Sequence, residues 1–214
     1  MTTIGFIGAG DIGSQLARLA IRSGYDVVLS NSRGPETLRG LITELGAHAS
    51  AATADGAAEA DIAVISTPMS AVASITVAPL KGKVVIDTNN YYPERDGHIQ
   101  ALDEEATTTS EMLQAHLQDA LIVKGFSHAG SRFLTKDSKP TGTPNRRAFA
   151  IAGDSAAAKS TVANLMDEFG FDVVDVGPLS EGWRIQRGTP GYADRFTAPE
   201  LRKKLDEAKR YRDM

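Results

Sequence analysis

The chain begins with an apolar run and a glycine-rich turn, and this feature constrains the fold more than any other. Residues 4–13 read Ile-Gly-Phe-Ile-Gly-Ala-Gly-Asp-Ile-Gly and lead directly into a helix-forming stretch. A strand, a G-x-G-x-x-G turn and a helix in this order are the context of a dinucleotide-binding fingerprint. Gly8 would permit the tight turn, Gly10 would let the backbone approach a pyrophosphate, and Gly13 would let the helix pack closely. The helix N-terminus would then face the phosphates.

The end of the second predicted strand indicates which dinucleotide binds. Asp26–Ser30 reads as this strand, and no acid lies between Val27 and Gly34. An NAD site usually has Asp or Glu about 20 residues beyond the glycines to bind the ribose 2′-hydroxyl. Arginine can instead bind a 2′-phosphate through charge-assisted hydrogen bonds, although a solvated loop arginine is the alternative. We therefore predict NADP(H) as the cofactor, contacted by Ser30, Asn31, Ser32 and Arg33.

Short apolar runs alternate with stretches of helical periodicity along the chain. Nearly continuous apolar runs are typical of parallel strands that are covered on both faces. We predict an α/β fold, a Rossmann-type doubly wound and mostly parallel sheet with a small C-terminal α/β extension. An NADP-binding domain is expected over residues 1–126, and a smaller part over 127–214 would complete the acceptor site. The later predicted strands cover residues 61–68, 83–88, 121–126, 148–153 and 171–176.

Capping residues predict where the helices begin and end. A helix should start near Pro35 and stop at Gly46, since proline suits a first helical turn and glycine a C-terminus. Asp154 or Ser155 should cap a helix that ends at Gly170. The tail from Ala198 onwards is also predicted to be helical.

Composition narrows the class of protein. The 214 residues include no cysteine, which excludes disulfides, thiol catalysis and cysteine-ligated metals. A net charge of −4 argues against nucleic acid as a general partner. No apolar run approaches a membrane span and no secretory signal is seen, so we expect a cytoplasmic protein. The sequence leaves open whether the chain forms a homodimer.

Charge is distributed unevenly. Residues 124–147 contain six Lys or Arg and one Asp, after a segment rich in acids. Each run could be a solvated face, but the basic one follows a predicted strand end, where ligands of this fold bind. It is therefore either a solvated face or a face toward an anionic second substrate.

Few residues suggest acid–base or metal chemistry. The four histidines have no metal-ligand spacing, and no Tyr-x-x-x-Lys pair is found. His128 is the histidine nearest a predicted strand end, where it either contacts substrate or has a structural role. Lys124 could bind an anion or stabilise a strand end, and Trp183 is expected in the core or beside the acceptor. Hydride transfer between two rings needs little from side chains, which fits this pattern.

These features together resemble the NADPH-dependent reductases of the deazaflavin coenzyme F420. The resemblance extends over essentially the whole chain, and its Asn-Asn-Tyr-Tyr-Pro and Gly-Pro-Leu segments are more specific than the glycine motif. It implies a Rossmann domain with a small C-terminal part and a deazaflavin stacked near the nicotinamide. The segments that carry it are residues 7–10, 30–36, 86–93, 123–126, 151–154 and 176–179.

The resemblance also suggests where the hydride acceptor binds. Bacterial relatives usually read Lys-Ala-Phe-Asn at the segment that is Gly-Phe-Ser-His here, residues 125–128. Asp11 stands where Asn or Thr is expected, and we interpret it as a helix cap. Candidates near the acceptor are therefore Lys124, Ser127 and His128. The predicted cofactor contacts, besides the four residues after the second strand, are Gly8, Ala9, Gly10, Asp11, Ile12, Gly13, Ser66, Thr67, Pro68 and Asn89.

The sequence therefore predicts an oxidoreductase that transfers hydride between NADP(H) and coenzyme F420, with no metal. Two other classes of function stay open. One is an NADPH-dependent reductase of another acceptor, such as a flavin, a quinone, an imine or a small carbonyl. The other is a non-catalytic NADP(H) sensor. Pyrroline-carboxylate reductases and hydroxyacid dehydrogenases share the N-terminal pattern but usually carry a long helical C-terminal domain, whereas only about one strand–helix–strand unit and a tail are expected after Arg147, which counts against them.

Overall fold

A computed structural model describes residues 2–210 and contains one eight-stranded sheet in the order β3-β2-β1-β4-β5-β6-β7-β8. All neighbouring pairs are parallel except β6 and β7. The Rossmann-type α/β fold is thus confirmed. The strands are β1 Thr3–Ile7, β2 Asp26–Ser30, β3 Ala49–Ala51, β4 Ile62–Ile65, β5 Val84–Asp87, β6 Leu121–Lys124, β7 Ala148–Gly153 and β8 Asp172–Asp175.

Helices cover both faces of this sheet. The first face packs on α1, α7 and α8, the second on α3 and α6, and α9 covers β7 and β8. The α-helices are α1 Asp11–Arg22, α2 Arg39–Leu45, α3 Ala54–Ala58, α4 Pro93–Asp96, α5 Gln100–Asp103, α6 Thr109–His116, α7 Arg132–Asp137, α8 Ala156–Glu168 and α9 Ala198–Glu207. The 3₁₀ helices span Pro35–Leu38, Met69–Ser74, Ala78–Leu80 and Leu179–Ile185.

Most boundaries follow the local signals. Ser155 caps α8 by accepting a hydrogen bond from the Ala158 N–H at 3.2 Å, and Gly170 follows with φ of +97°. The predicted helix ending at Gly46 exists, but its first turn is a 3₁₀ helix. The short strand β3 and the helices α3 to α7 were not predicted. Each of these elements has eight residues or fewer, so its apolar periodicity is too short to distinguish a helix or strand from a loop.

The strand direction reverses after β6. Val123 pairs with Gly153 and Lys124 with Ala152 in antiparallel register, and β8 then runs parallel to β7. The last two strands therefore present their amino ends at the edge where β1 to β6 present their carboxyl ends. One sheet runs through both predicted parts of the chain. The division into residues 1–126 and 127–214 stays a prediction, and residues 1 and 211–214 of those ranges lie outside the described part.

Candidate functional site

The strand order changes direction between β1 and β4, and a cleft opens at their carboxyl ends. Connections leave β1 and β4 toward opposite sides of the sheet, which is the usual ligand position in this fold. The chain after β1 turns at Gly8, whose φ of +106° favours glycine. A Cβ there would also lie 2.2 Å from the Ser66 carbonyl oxygen. The two loops that border the cleft are therefore packed backbone against backbone.

The other two fingerprint glycines have different environments. A Cβ on Gly13 would lie 2.0 Å from the carbonyl oxygen of Gly8, so close packing of α1 on the turn requires glycine there. A Cβ on Gly10 would meet no atom within 4 Å. Gly10 therefore faces open space, as expected for the position where a pyrophosphate approaches.

The interpretation of Asp11 as a helix cap is wrong. Gly10 occupies the N-cap position of α1, and Asp11 is the first helical residue and makes no capping hydrogen bond. Its exposed carboxylate lies at the positive end of the helix dipole, where a negative charge is stabilised.

A cavity of about 430 Å³ lies beside the glycine turn and reaches the end of β2. Ser30 is buried there, and its hydroxyl donates to the Phe6 carbonyl at 3.0 Å. Asn31 accepts a hydrogen bond from the Arg33 N–H at 2.9 Å and donates to Thr37 at 2.9 Å. These two side chains shape the loop. The lining residues are Ile7, Gly8, Ala9, Gly10, Ser30, Asn31, Ser32, Arg33, Ala54, Ser66, Thr67, Pro68, Ala71, Ser74 and Ile75.

Ser32 and Arg33 remain available to a ligand. Both are exposed, and the Arg33 guanidinium has no hydrogen-bond partner within residues 2–210. With no acid in the lining of this cavity, the loop suits a 2′-phosphate better than a ribose 2′-hydroxyl.

A second cavity of about 290 Å³ adjoins the first, and the two share Gly10, Ser66, Thr67 and Pro68 as a common wall. Every predicted cofactor residue except Gly13 lines one of these cavities. The second contains several residues that the sequence analysis did not place in the site, notably Asn90, Tyr92, Arg95 and Tyr192. Its lining is Gly10, Asp11, Ile12, Ser66, Thr67, Pro68, Thr88, Asn89, Asn90, Tyr92, Arg95, Phe126, Ser127, Ala129 and Tyr192.

Unpartnered polar atoms concentrate around this second cavity. Of the seven buried side-chain atoms that lack a hydrogen-bond partner within the described residues, four belong to residues that line it. Such atoms cost free energy unless a ligand or water supplies the partner. The cleft therefore fits a polar ligand that continues from the glycine turn, as NADP(H) would. The four atoms are Thr67 Oγ1, Asn89 Nδ2, Asn90 Oδ1 and Ser127 Oγ.

Two tyrosines from distant parts of the chain meet at the second cavity. The hydroxyls of Tyr92 and Tyr192 are hydrogen-bonded to each other. Burial is the main cause that raises the pKa of Tyr192 above its ordinary value, and the hydrogen bond with Tyr92 raises it further. The phenol of Tyr192 is therefore neutral at physiological pH. The guanidinium of Arg95 lies 4.8 Å from the centre of the Tyr92 ring. These side chains form an aromatic and cationic border of the second cavity.

Lys124 lies below the cavity and does not line it. Its ammonium donates to the Asn89 carbonyl at 2.9 Å and to Thr109 Oγ1 at 3.0 Å. Asp87 in turn accepts hydrogen bonds from the Asn89 N–H at 2.9 Å and from the Ser110 hydroxyl at 2.6 Å. Lys124 therefore holds the backbone of Asn89 and is buried outside the cavity lining, so the structure does not bring it to the place expected of an acceptor contact.

His128 does not line the cavity either, although its neighbours Ser127 and Ala129 do. It is 1% exposed, and its Nε2 accepts a hydrogen bond from the Ala150 N–H at 2.9 Å. Burial, reinforced by Arg147 and Lys124, lowers its pKa to about 3. The side chain is thus a neutral structural group that connects the loop after β6 to β7. Of the three candidates near the acceptor, the structure brings only Ser127 into the cavity.

The basic run of residues 124–147 is not a single face. Arg146 is buried against Asp167 at 2.7 Å and Asp172 at 3.2 Å. Arg147 is buried against Asp137 at 2.8 Å. Because these cations and Lys124 are internal, the run offers no continuous positive surface. Trp183 is buried and belongs to neither cavity.

Comparisons with known proteins agree with this geometry. The sequence model of the family described as "NADP oxidoreductase coenzyme F420-dependent" matches residues 3–91. Among curated proteins, the rat Metalloreductase STEAP3 is 26% identical over 184 residues, which are 86% of this chain and 35% of the relative. The chain thus spans about a third of that relative's length. Within residues 2–210, no helix is both long and apolar enough to cross a bilayer.

Solved structures are similar over nearly the full fold. A hypothetical protein from Sinorhizobium meliloti, SMa0349, has a TM-score of 0.81 at 28% identity and covers 92% of this chain and 96% of its own. A proposed F420-dependent NADP-reductase from Arthrobacter sp. FB24 has a TM-score of 0.73 at 21% identity, over 85% of this chain and 87% of its own. Residues 3–91 are thus similar to the NADP oxidoreductase family described as coenzyme F420-dependent.

Proposed function

We propose that this protein is an enzyme that transfers hydride between NADP(H) and the deazaflavin coenzyme F420. In the reducing direction, NADPH, oxidised F420 and one proton give NADP⁺ and reduced F420, so that atoms and electrons balance. The observation that carries this proposal is the pair of adjoining cavities with a common wall at Gly10 and Ser66–Pro68. The first cavity, with Ser32 and Arg33, suits a 2′-phosphate. The second cavity, beside Tyr92 and Tyr192, offers space for the nicotinamide and for an acceptor ring.

The protein's own contribution is binding and orientation. Arg33 would hold the 2′-phosphate, the open backbone at Gly10 would accept the pyrophosphate, and Thr67 would place the nicotinamide end in the second cavity. The nicotinamide and the deazaflavin supply the hydride chemistry when bound. The border of Tyr92 and Tyr192 would position the acceptor ring and exclude water from it.

The names of similar proteins support the acceptor. The family description and that of the Arthrobacter structure both refer to F420. Within residues 2–210, neither of these two adjoining cavities is lined by a buried carboxylate or by a histidine that would serve as a proton donor to a carbonyl. Ring-to-ring hydride transfer needs no such group.

A direct assay tests the proposal. Mixing the protein with NADPH and oxidised F420 should bleach the deazaflavin absorbance, and deuterium at the transferred position of NADPH should appear at the deazaflavin C5. If NADPH binds to the folded protein and no bleaching occurs, F420 is not the acceptor. Spectroscopic screening of flavins, quinones and imines with NADPH would then identify another acceptor, or show that the protein binds NADP(H) without turnover.

A further inference from the structure

We propose that residues 186–195 form a lid over the second cavity, and that the ion pair of Arg187 with Glu94 is its latch. The lid opens to admit a ligand and closes behind it. Tyr192, within this segment, lines the cavity of about 290 Å³. The Arg187 guanidinium lies 5.4 Å from the centre of the Tyr92 ring, which lines the same cavity. The inference goes beyond the proposed function, because it concerns how the cleft is opened.

The lid is fixed at both ends and has little apolar contact between them. Ile185 is buried just before it, and just after it the Phe196 carbonyl accepts a hydrogen bond from the Ala148 N–H at 2.8 Å. Within residues 186–195 only Gly191 is buried, and most of the others are exposed. A segment with so few buried apolar contacts opens at low free-energy cost while the rest of the protein stays folded.

Two polar contacts hold the lid against the beginning of α4. The Arg187 guanidinium donates to both carboxylate oxygens of Glu94, at 2.8 and 3.0 Å. The hydroxyls of Tyr192 and Tyr92 are hydrogen-bonded to each other. Both side chains of the ion pair are at least half exposed, so the latch is weak and is screened by salt. Contacts of this strength keep the lid closed without preventing it from opening.

The closed lid carries backbone strain at Ala193. This residue has a φ of +70°, in the left-handed region that is unfavourable for alanine. Its N–H donates to the His128 carbonyl at 3.2 Å, and it forms an isolated bridge with Ala129, which lines the second cavity. Backbone strain persists where the surrounding structure imposes it, and it is found in ligand clamps and switch segments. Closure therefore strains the lid, and opening relieves that strain.

The lid and the beginning of α4 border two cavities at once. Tyr92 and Tyr192 line the second cavity, whereas Pro93 and Arg187 line another of about 180 Å³. Breaking the contacts between the two segments would join these cavities and widen the entrance to the cleft.

Hydrogen exchange tests the lid without any ligand. Glu94→Gln removes the charge of the latch, so amides of residues 186–195 should exchange about two- to fivefold faster, as expected for one lost exposed ion pair. The exchanged pair, Glu94→Arg with Arg187→Glu, should restore most of the protection. Arg18→Gln is the matched control and should leave the lid unchanged. It breaks another Arg–Glu pair with two hydrogen bonds, of 2.7 and 2.9 Å, outside the lining of both cleft cavities.

Ala193→Gly should have the opposite effect. Glycine adopts a positive φ without strain, so this change favours the closed lid and should slow exchange about two- to fivefold. Faster exchange in this variant would contradict a strained closed state.

Ligand kinetics test whether the lid controls entry, and this measurement rests on the proposed NADP(H) binding. In stopped-flow experiments, Glu94→Gln should release NADP⁺ about two- to fivefold faster than the wild type. Its release of 2′,5′-ADP should not change, since this ligand lacks the nicotinamide that extends into the second cavity. Unchanged NADP⁺ release despite faster lid exchange would refute control of entry by the lid.

The exchange outcomes separate the lid from the proposed reaction. Unchanged lid exchange in Glu94→Gln would overturn the lid, and so would an equal change in Arg18→Gln or in the amides of β4. Selective acceleration of the lid in a protein that does not reduce F420 would refute the F420 reaction and leave the lid standing. Normal F420 reduction with no change in lid exchange would do the reverse.

Discussion

The ammonium nitrogen of Lys124 lies 4.0 Å from a carboxylate oxygen of Asp87, and both side chains are shielded from solvent at neighbouring strand ends. Burial lowers the pKa of Lys124, while the charge of Asp87 raises it and opposes that effect. The pair therefore compensates two charges that would be costly to bury alone. Because both residues also contact the backbone of Asn89, their stability contribution is coupled to the candidate site.

Lys124→Met should destabilise the protein by about 3–5 kcal/mol, since it leaves the buried carboxylate of Asp87 without its cation. Urea unfolding measures this change. Adding Asp87→Asn to the same protein should restore part of the loss, because no uncompensated charge then remains. A double variant whose destabilisation equals the sum of the single ones would show that the two side chains are not coupled.

Arg33→Ala should lower NADPH affinity by about one to two orders of magnitude, because a charge-assisted hydrogen bond contributes about 1.5–3 kcal/mol. NADH affinity should change little, since NADH has no 2′-phosphate. Fluorescence titration with both cofactors measures the difference. Arg33→Lys is the control that keeps the charge and loses the planar guanidinium, and it should recover part of the affinity. Equal losses for NADH and NADPH would mean that Arg33 supports the loop and not the phosphate.

Two glycine substitutions should have opposite effects. Gly10→Val adds a side chain where no atom lies within 4 Å of the Cβ position, so circular dichroism and thermal stability should stay near native while NADPH binding is lost. Gly13→Ala places a Cβ 2.0 Å from the Gly8 carbonyl oxygen, so it should destabilise the fold by about 1–3 kcal/mol or more. Retention of NADPH binding in Gly10→Val would place the pyrophosphate elsewhere.

His128 should make the stability of the protein depend on pH. Its pKa falls from an ordinary value of 6.5 to about 3 in the folded state. Below pH 6.5 the unfolded chain binds a proton that the folded chain does not bind until about pH 3. Stability is therefore fully present above pH 6.5 and decreases on acidification, by about 1.4 kcal/mol for each pH unit from this group.

His128→Gln provides the comparison, since glutamine can still accept the Ala150 N–H and does not titrate. Urea unfolding between about pH 6 and pH 5 should show a shallower pH dependence for this variant, because most carboxylates remain ionised there. The same slope in both proteins would mean that His128 is protonated in the folded state.

Tyr192→Phe should impair use of the acceptor and leave NADPH binding unchanged. The substitution removes the hydroxyl that bonds to Tyr92 and lies at the border of the second cavity. A rise of about two- to tenfold in the KM for F420 is expected from one lost hydrogen bond. Tyr25→Phe, which loses a hydroxyl contact with Glu168 on the outside of the fold, should change neither parameter. A change confined to NADPH affinity would instead assign Tyr192 to the cofactor.

Local sequence patterns indicated which segments meet beside the glycine turn, and their role as cofactor contacts stays a prediction. The glycine turn, β2 with its missing acid, and the Ser66–Pro68 segment are each short and contiguous, so their apolar runs and turn residues place them directly. The structure brings nearly all of them to the predicted edge of the sheet. Each of these segments follows a predicted parallel strand. Because parallel strands end at one edge of the sheet, the segments were expected to lie close together.

The far part of the second cavity could not be predicted in the same way. Tyr192 reaches the cavity through a contact with a residue 100 positions earlier, and no periodicity reports such a contact. The ion-pair partners of Arg146 also come from a later helix and strand, so the basic run looked exposed. His128 follows a strand end as ligand-binding residues often do, but the reversed β7 covers it.

The reversal between β6 and β7 has a consequence for how such proteins diversify. The turn at Gly8–Gly10 and the Ser66–Pro68 loop are locked to each other by backbone packing at parallel strand ends, so the cofactor half tolerates little change. Beyond β6 the next strand runs antiparallel, so its carboxyl end does not reach this edge of the sheet. The second cavity is bordered there by the segment after β6 and by the loop that carries Tyr192. We therefore expect sequence variation in this fold to concentrate in these two segments, while the packed turn and loop beside them stay the same.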